Sequence, residues 1–252
     1  MAAGKRLTRD AFLGGKLQLW QPVKGFRAAT DPVLLAAACP AKPGDSVLDL
    51  GTGAGSAALC LAARVPDLAL TGLELQPFYA DLARRNAMEN AVRFNVITGD
   101  LSHIPAALHR AFDHVIANPP YYPRGGTPSP DPGRALAMQG DLPLSTWVDA
   151  AARRLSPGGT LTMIFGTDGL AEVLAALGTR LGSPSLLPLT PREGRPALRL
   201  ILRSRKGGRA ALRLLPPLVL HHGPAHDGDR ESYSRRANEI LRLCASLAPE
   251  FA

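Results

Sequence analysis

Cysteine is scarce in this 252-residue chain: only Cys39, Cys60 and Cys244, odd in number and far apart. That pattern excludes a disulfide framework and points to a reducing, cytoplasmic setting. No stretch approaches the roughly 18 uninterrupted apolar residues of a membrane-spanning helix. The N-terminus lacks the apolar core of a secretory signal, because Lys5, Arg6, Arg9, Asp10 and Lys16 interrupt it. No internal repeat is present, which excludes solenoids and propellers. A metal is not expected either. His221, His222 and His226 do not lie on a convincing helix that would put an i, i+4 ligand pair on one face, and no cysteine cluster accompanies them. His103, His109 and His114 give no sharper signal. Negative charge also runs short, with 21 Asp and Glu against 29 Lys and Arg. The net charge of +8 suits a polyanionic partner. Arg-biased composition alone would raise that total, so clustering carries more weight. Arg192, Arg195, Arg199, Arg203, Arg205, Lys206, Arg209 and Arg213 fall close together, either a nucleic-acid contact or a solvated strand face.

What is present is an alternation of short apolar runs with helical ones over residues 46–206, the pattern of an α/β domain with a parallel sheet. Strands are expected at 46–50, 68–75, 94–98, 112–117 and 160–165. The last two, at 197–203 and 211–220, read as an antiparallel hairpin across Lys206-Gly207-Gly208. Helices are expected from 56 to 63, 77 to 91, 143 to 155 and 169 to 181, with Pro77 suited to a first turn. Two regions stand outside the alternation. Residues 1–45 form a leader with a short apolar helix at 32–39, expected to pack on a ligand site in the domain formed by 46–252. Residues 123–134 are a Pro/Gly loop, a substrate lid or a tolerated surface insertion.

Two motifs carry chemistry. Asp49-Leu50-Gly51-Thr52-Gly53-Ala54-Gly55 follows a strand and opens a helix, where glycines permit a tight turn and close backbone approach. Glu74 closes the next strand, where a carboxylate can grip two ribose hydroxyls. Those features alone fit a nicotinamide dinucleotide almost as well. Against it, the spacing is G-x-G-x-G, and Asp49 would repel a pyrophosphate but suits a cationic amino-acid group. Asp100 and Leu101, after the third strand, can hold an adenine, although Asp100 could equally cap a turn. An amino acid, a ribose and an adenine in that order describe S-adenosylmethionine.

The second motif is Asn118-Pro119-Pro120-Tyr121, at the carboxyl end of a buried strand, where open α/β sheets hold ligands. The amide oxygen of Asn118 and the carbonyl of Pro119 could accept both N–H groups of a planar amine. Its delocalised lone pair would then face an electrophile. Consecutive prolines restrict the backbone and remove donors, and Tyr121 offers a face for base stacking. Taken alone, the tetrapeptide could be a proline-rich turn.

Together these residues resemble the class I S-adenosylmethionine-dependent methyltransferases. The Asn-Pro-Pro-Tyr element is similar to that of enzymes acting on adenine N6, guanine N2 or glutamine N5. Within that group the chain most resembles the bacterial tRNA1(Val) adenine-37 N6-methyltransferases, through Phe26 to Asp31, the Arg-rich strand and the segment from Gly223 to Tyr233. The resemblance implies a Rossmann-like, mostly parallel, twisted seven-stranded sheet with an antiparallel C-terminal strand and helices on both faces. It implies S-adenosylmethionine as cofactor, held by Thr30, Asp31, Asp49, Gly51, Thr52, Gly53, Gly55, Glu74, Leu75, Asp100, Leu101 and Asn118. Thr30 and Asp31 could instead be a helix N-cap before Pro32. The implied partner is RNA, of tRNA class, met by Arg199, Arg203, Arg205, Lys206 and Arg209. Glutamine-N5 methylation of a protein, guanine-N2 methylation of rRNA, an NAD-binding oxidoreductase and a non-catalytic RNA-binding protein that retains the fold remain alternatives, the first less suited to so short a leader.

Overall fold

Apolar strands that end in glycine, proline or acidic turns organise the chain, whose computed structural model describes residues 6–120, 142–223 and 232–252. It opens with a hairpin of β1 (Leu7–Phe12) and β2 (Leu17–Pro22), followed by α1 (Asp31–Ala38). The alternation then runs β3 (Ser46–Leu50), α2 (Ser56–Arg64), β4 (Ala69–Glu74), α3 (Pro77–Glu89), β5 (Phe94–Thr98) and β6 (Phe112–Ala117). After residue 141 come α4 (Leu144–Arg154), β7 (Leu155–Gly166), α5 (Leu170–Leu177), β8 (Leu181–Thr190) and β9 (Arg199–Lys206). Two short strands, β10 (Arg213–Leu214) and β11 (Leu218–Val219), precede α6 (Arg235–Leu243).

The sheet order is β10-β8-β9-β7-β6-β3-β4-β5, with β11 also on β8. Only β9 runs against its neighbours. The architecture is the expected Rossmann-like one, a mostly parallel sheet between helices, but its far edge is built differently. The hairpin between 197–203 and 211–220 does not form: β9 pairs with β7 and β8, and residues 211–220 supply only β10 and β11. The strand that takes the outer position is β8, and the helix expected to reach 181 ends at Leu177. Nine strands therefore pair where seven were expected. Pro184 and Pro188 make β8 read as a breaker-rich loop. Pro184 falls where the register slips, between Gly182 and Ser185. Pro188 lies between the residues that pair with β10 and those that pair with β11, so its missing N–H interrupts neither short ladder.

Alternate strand residues feed two cores, as the two-residue period of a strand requires. Val47, Ile116, Ile164 and Ile201 face one cluster with α1, α2 and α6. Leu48, Val115, Met163, Phe165, Leu200 and Leu202 face the other, with α4 and α5. The leader shares the first core through Leu13, Leu17 and Leu19. Its hairpin is tied to α3 by two side-chain amides. Asn90 exchanges bonds with the main chain of Gln18 (2.9 and 2.7 Å), and Asn86 does the same with Trp20 (2.7 and 3.1 Å). Asn86 is fully buried and also donates to the carbonyl of Ala54, 2.9 Å away, in the glycine turn.

Candidate functional site

All parallel strands finish on one edge of the sheet, and the antiparallel β9 begins there. That edge therefore collects the turn 51–55, Glu74 and Leu75, Gly99 and Asp100, Asn118 to Pro120, and the loop 191–198. This is the crevice in which open α/β sheets place ligands.

The glycine turn is held from both sides. Thr52 N–H donates to the Leu73 carbonyl (2.9 Å), and Gly53 N–H to the Glu74 carboxylate (2.8 Å). Gly51 has a φ of +65°, and a Cβ there would lie 2.5 Å from Trp147 Cη2, so no other residue fits without displacing the indole. Asp49 lies beneath the turn, 2% exposed, accepting from the Thr52 hydroxyl at 2.6 Å. Burial pushes its carboxyl up to about 7, with the Thr52 bond opposing and the nearby Glu74 adding to the rise. Glu74, also buried, is raised by loss of solvent and lowered in part by the N–H groups of Gln76 and Gly53. Its oxygens retain lone pairs beyond the two N–H bonds, which leaves acceptors for a pair of hydroxyls. Asp100 is more open: its carboxylate accepts from Ser102 N–H at 2.8 Å, and the Ser102 bonds hold its carboxyl below the ordinary value. Leu101 is buried beside it, and Leu75 stands 52% exposed after Glu74.

A cationic amino acid, a ribose and an adenine fit this sequence of groups along β3, β4 and β5. The turn tolerates no side chain at Gly51, and the carboxylates stand at the carboxyl ends of their strands. A pyrophosphate would meet two carboxylates instead of free N–H groups.

Next along the edge, β6 delivers Asn118 half-buried, Pro119 buried and Pro120 exposed. Tyr121, Tyr122 and the loop 123–134 lie outside the described residues, as does His226. Thr30 occupies the position before α1 with helical φ and ψ, and its side chain makes no capping bond, contrary to the N-cap reading. Asp31 pairs with Arg199 Nε at 3.3 Å, joining the start of α1 to the start of β9.

The arginine run does not form one surface. Arg199 is at the ligand edge, whereas Arg205 and Lys206 are at the opposite edge, where they donate to the carbonyls of Gly158 (3.0 Å) and Leu155 (2.6 Å). Arg203 is half-buried against the Phe251 ring, 4.4 Å from its centroid, and Arg213 bonds the carbonyls of Phe251 and Ala252. Arg209 is exposed beyond β9, at the far edge. The reason is length: eight strand residues span roughly 25 Å, so neighbours in sequence reach opposite edges. Arg192 bonds the carbonyls of His222 and Gly223, and Arg195 is exposed in the loop 191–198. His221 stacks on Tyr233 (centroids 4.7 Å apart), and His222 contacts the Tyr233 carbonyl. Among the described residues, no three His, Cys, Asp or Glu side chains gather as a metal site would need.

Sequence reasoning passed over Trp147 and Asn86. Only Asn86 left a signal, since an asparagine inside a helix is disfavoured unless its amide is occupied.

The family model for the methyltransferase small domain matches residues 29–177. A tRNA1(Val) (adenine(37)-N6)-methyltransferase of Porphyromonas gingivalis is 34% identical over 188 residues, 70% of this chain and 73% of that protein. One of the same name from Shewanella amazonensis is 32% identical over 189 residues, 73% of this chain and 79% of that protein. Among solved structures, a predicted O-methyltransferase from Agrobacterium tumefaciens superposes with a TM-score of 0.70 at 27% identity, over 85% of this chain and 97% of that one.

Proposed function

The chain belongs to the methyltransferase small-domain family, and from that premise we propose that it methylates the exocyclic N6 amino group of an adenine in tRNA. The observation that carries the reading is Asn118-Pro119-Pro120 at the tip of β6, on the same edge as the glycine turn and Glu74. S-adenosylmethionine, the cofactor of this family, supplies an electrophilic methyl group when bound.

The work of the protein is to hold a weak nucleophile in line. The side-chain oxygen of Asn118 and the carbonyl of Pro119 accept the two amino protons, which biases the nitrogen toward sp3 geometry. Pro119 and Pro120 present no N–H to compete for those acceptors. Tyr121 is assigned to stacking on the base. Orientation of this kind can contribute about 7–11 kcal/mol to lowering a barrier. No carboxylate is needed as a general base, because the nitrogen becomes acidic only once alkylated and its proton can leave to solvent. Gly51, Thr52, Gly53 and Gly55 cradle the amino-acid end, Glu74 takes the ribose, and Asp100 with Leu75 and Leu101 takes the adenine. Asp49 is too buried to grip the ammonium alone; its charge acts through the turn it braces. Thr30 and Asp31, at the start of α1, close the amino-acid end.

Nitrogen is favoured over oxygen as acceptor because an alcohol has one proton to offer where this tip carries two acceptors. RNA is favoured over a protein glutamine by the curated relatives, which are named as tRNA methyltransferases. Its phosphates would meet the ligand-edge cations, Arg195 and the Asp31-paired Arg199, ahead of those at the far edge. The test is incubation with unmodified total tRNA and S-adenosylmethionine, with nucleosides read by mass spectrometry. Appearance of N6-methyladenosine is expected, and its absence beside a bound cofactor would redirect the search to other amines.

A further inference from the structure

Phe26 is 44% exposed, although it lies in a strap, residues 23–30, whose main chain is hydrogen-bonded at Phe26 and Ala28. Its N–H donates to Tyr79 Oη (2.9 Å), and the same hydroxyl returns a bond to the Phe26 carbonyl (3.4 Å). Two residues on, Ala28 N–H donates to the buried Gln21 amide (2.7 Å), and Arg27 bonds the Pro22 carbonyl (2.9 Å) and Asp10 (2.7 Å). Gly25, with φ of +118°, lets the strap turn against Tyr79, where a Cβ would come within 2.9 Å of the hydroxyl.

The ring so fixed lies over the glycine turn: a Cβ on Gly53 would be 3.7 Å from Phe26 Cε1. Gly53 is the residue whose N–H binds Glu74. Leu75, the residue after Glu74, is also left open at this edge. An aromatic side chain whose backbone is immobilised while its face stays wet is poised to be covered by a ligand, because it has lost its freedom already and gains burial on binding.

We propose that Phe26 is a cofactor-contacting residue, closing over the ribose held between Gly53 and Glu74, and that Tyr79 is the positioning residue that sets its height. The inference rests on S-adenosylmethionine as the cofactor. It assigns Phe26 to the ribose and not to the sulfonium, so the charged donor and the neutral S-adenosylhomocysteine should depend on the ring equally.

Calorimetric titration of the full chain with both ligands tests it. Phe26→Ala should weaken both by about tenfold or more, the scale expected from losing a buried phenyl contact, with an unchanged urea midpoint for the free protein. Tyr79→Phe removes only the hydroxyl and should give a smaller loss of the same kind, raising KM for S-adenosylmethionine while kcat at saturation holds. Phe26→Tyr should retain affinity. Affinities within twofold of the parent in Phe26→Ala overturn the proposal, as does a loss confined to the charged donor. A lowered urea midpoint with unchanged affinity overturns it as well, since the ring would then be packing only. If the parent protein itself binds neither ligand, the cofactor reading fails first, and the two failures are thereby told apart.

Discussion

The two edges of the sheet treat polar groups in opposite ways. At the far edge, several charges meet partners within the chain: Arg205 and Lys206 on β7 carbonyls, Asp113 with Ser46 (2.7 Å), and Asp45 with His114 (3.0 Å). At the ligand edge, Glu74 accepts main-chain N–H bonds, Asp100 accepts from Ser102 and lies 3.6 Å from His103 Nδ1, and both keep capacity to spare, while Phe26 and Leu75 stay open. Since β3, β4 and β6 run parallel, their chain direction alone creates this asymmetry. If the ligand edge is the active site, function rests on groups that the fold positions and leaves accessible. Substitutions at the ligand edge should therefore cost activity without stability, and substitutions that reach beneath it should cost both.

The largest separation is expected at Asn118. Asn118→Ala removes one of two acceptors for the amino group, and losses of one preorganised partner run about 100- to 1000-fold in kcat. Affinity for S-adenosylhomocysteine should stay within twofold. Single-turnover methylation of unmodified tRNA measures the first, calorimetry the second. A variant that retains turnover would break the contrast at its functional end.

Asn86 tests the layer beneath. Its amide satisfies the Trp20 N–H, the Trp20 carbonyl and the Ala54 carbonyl at once. Asn86→Ala would leave these buried groups without partners, a cost of about 2–3 kcal/mol, read as a lower urea midpoint. Because Ala54 belongs to the glycine turn, cofactor affinity should fall as well, unlike in a variant such as Lys206→Ala at the far edge. Loss of stability with full cofactor affinity would show that the hairpin and the turn are not linked through this amide.

How far the sequence could be read follows the same division. Asp49 to Gly55, Glu74, Asp100 and Asn118 were legible because a parallel strand ending in a glycine or acidic turn states both its direction and its ligand end. The arginine run misled because linear proximity along an eight-residue strand separates its ends by most of the sheet's width. β8 was hidden by Pro184 and Pro188, which are permitted only because its outer side carries two short ladders. The leader hairpin was hidden by Arg9 and Asp10 within β1, and their tolerance depends on partners distant in sequence: Glu89 for Arg9, and Gln21 and Arg27 for Asp10. Asn86 belongs with these, since its three bonds are all to residues far along the chain.

Proton linkage at Asp49 offers a smaller and more graded effect. With its carboxyl at about 7 against an ordinary 3.8, the folded free protein favours the neutral acid. The sign follows: this contribution to stability is fully present below 3.8 and is lost as pH rises toward 7. Glu74, also raised by burial, acts in the same direction. A cationic ammonium bound at the turn favours the ionised form, so ligand binding should release protons below pH 7. Affinity for S-adenosylhomocysteine should rise about tenfold from pH 6 to pH 8, the scale of one pKa unit of differential interaction. Asp49→Asn should flatten that rise. An affinity independent of pH in the parent would mean that the buried carboxyl does not sense the ligand.

The finest comparison sets two similar cations on opposite edges. Arg195, in the loop 191–198, and Arg209, beyond the end of β9, are both exposed, and no described residue bonds either guanidinium. They differ mainly in which edge they occupy. If RNA approaches with its target base at the tip of β6, Arg195→Ala should weaken tRNA binding a few-fold and reduce the salt dependence of log K by about one unit of slope, the signature of one lost phosphate contact. Arg209→Ala should change neither. Electrophoretic or fluorescence titrations across a salt series separate these outcomes. Equal losses for both would extend the RNA footprint around the sheet and would require the far-edge cations to serve binding as well as packing.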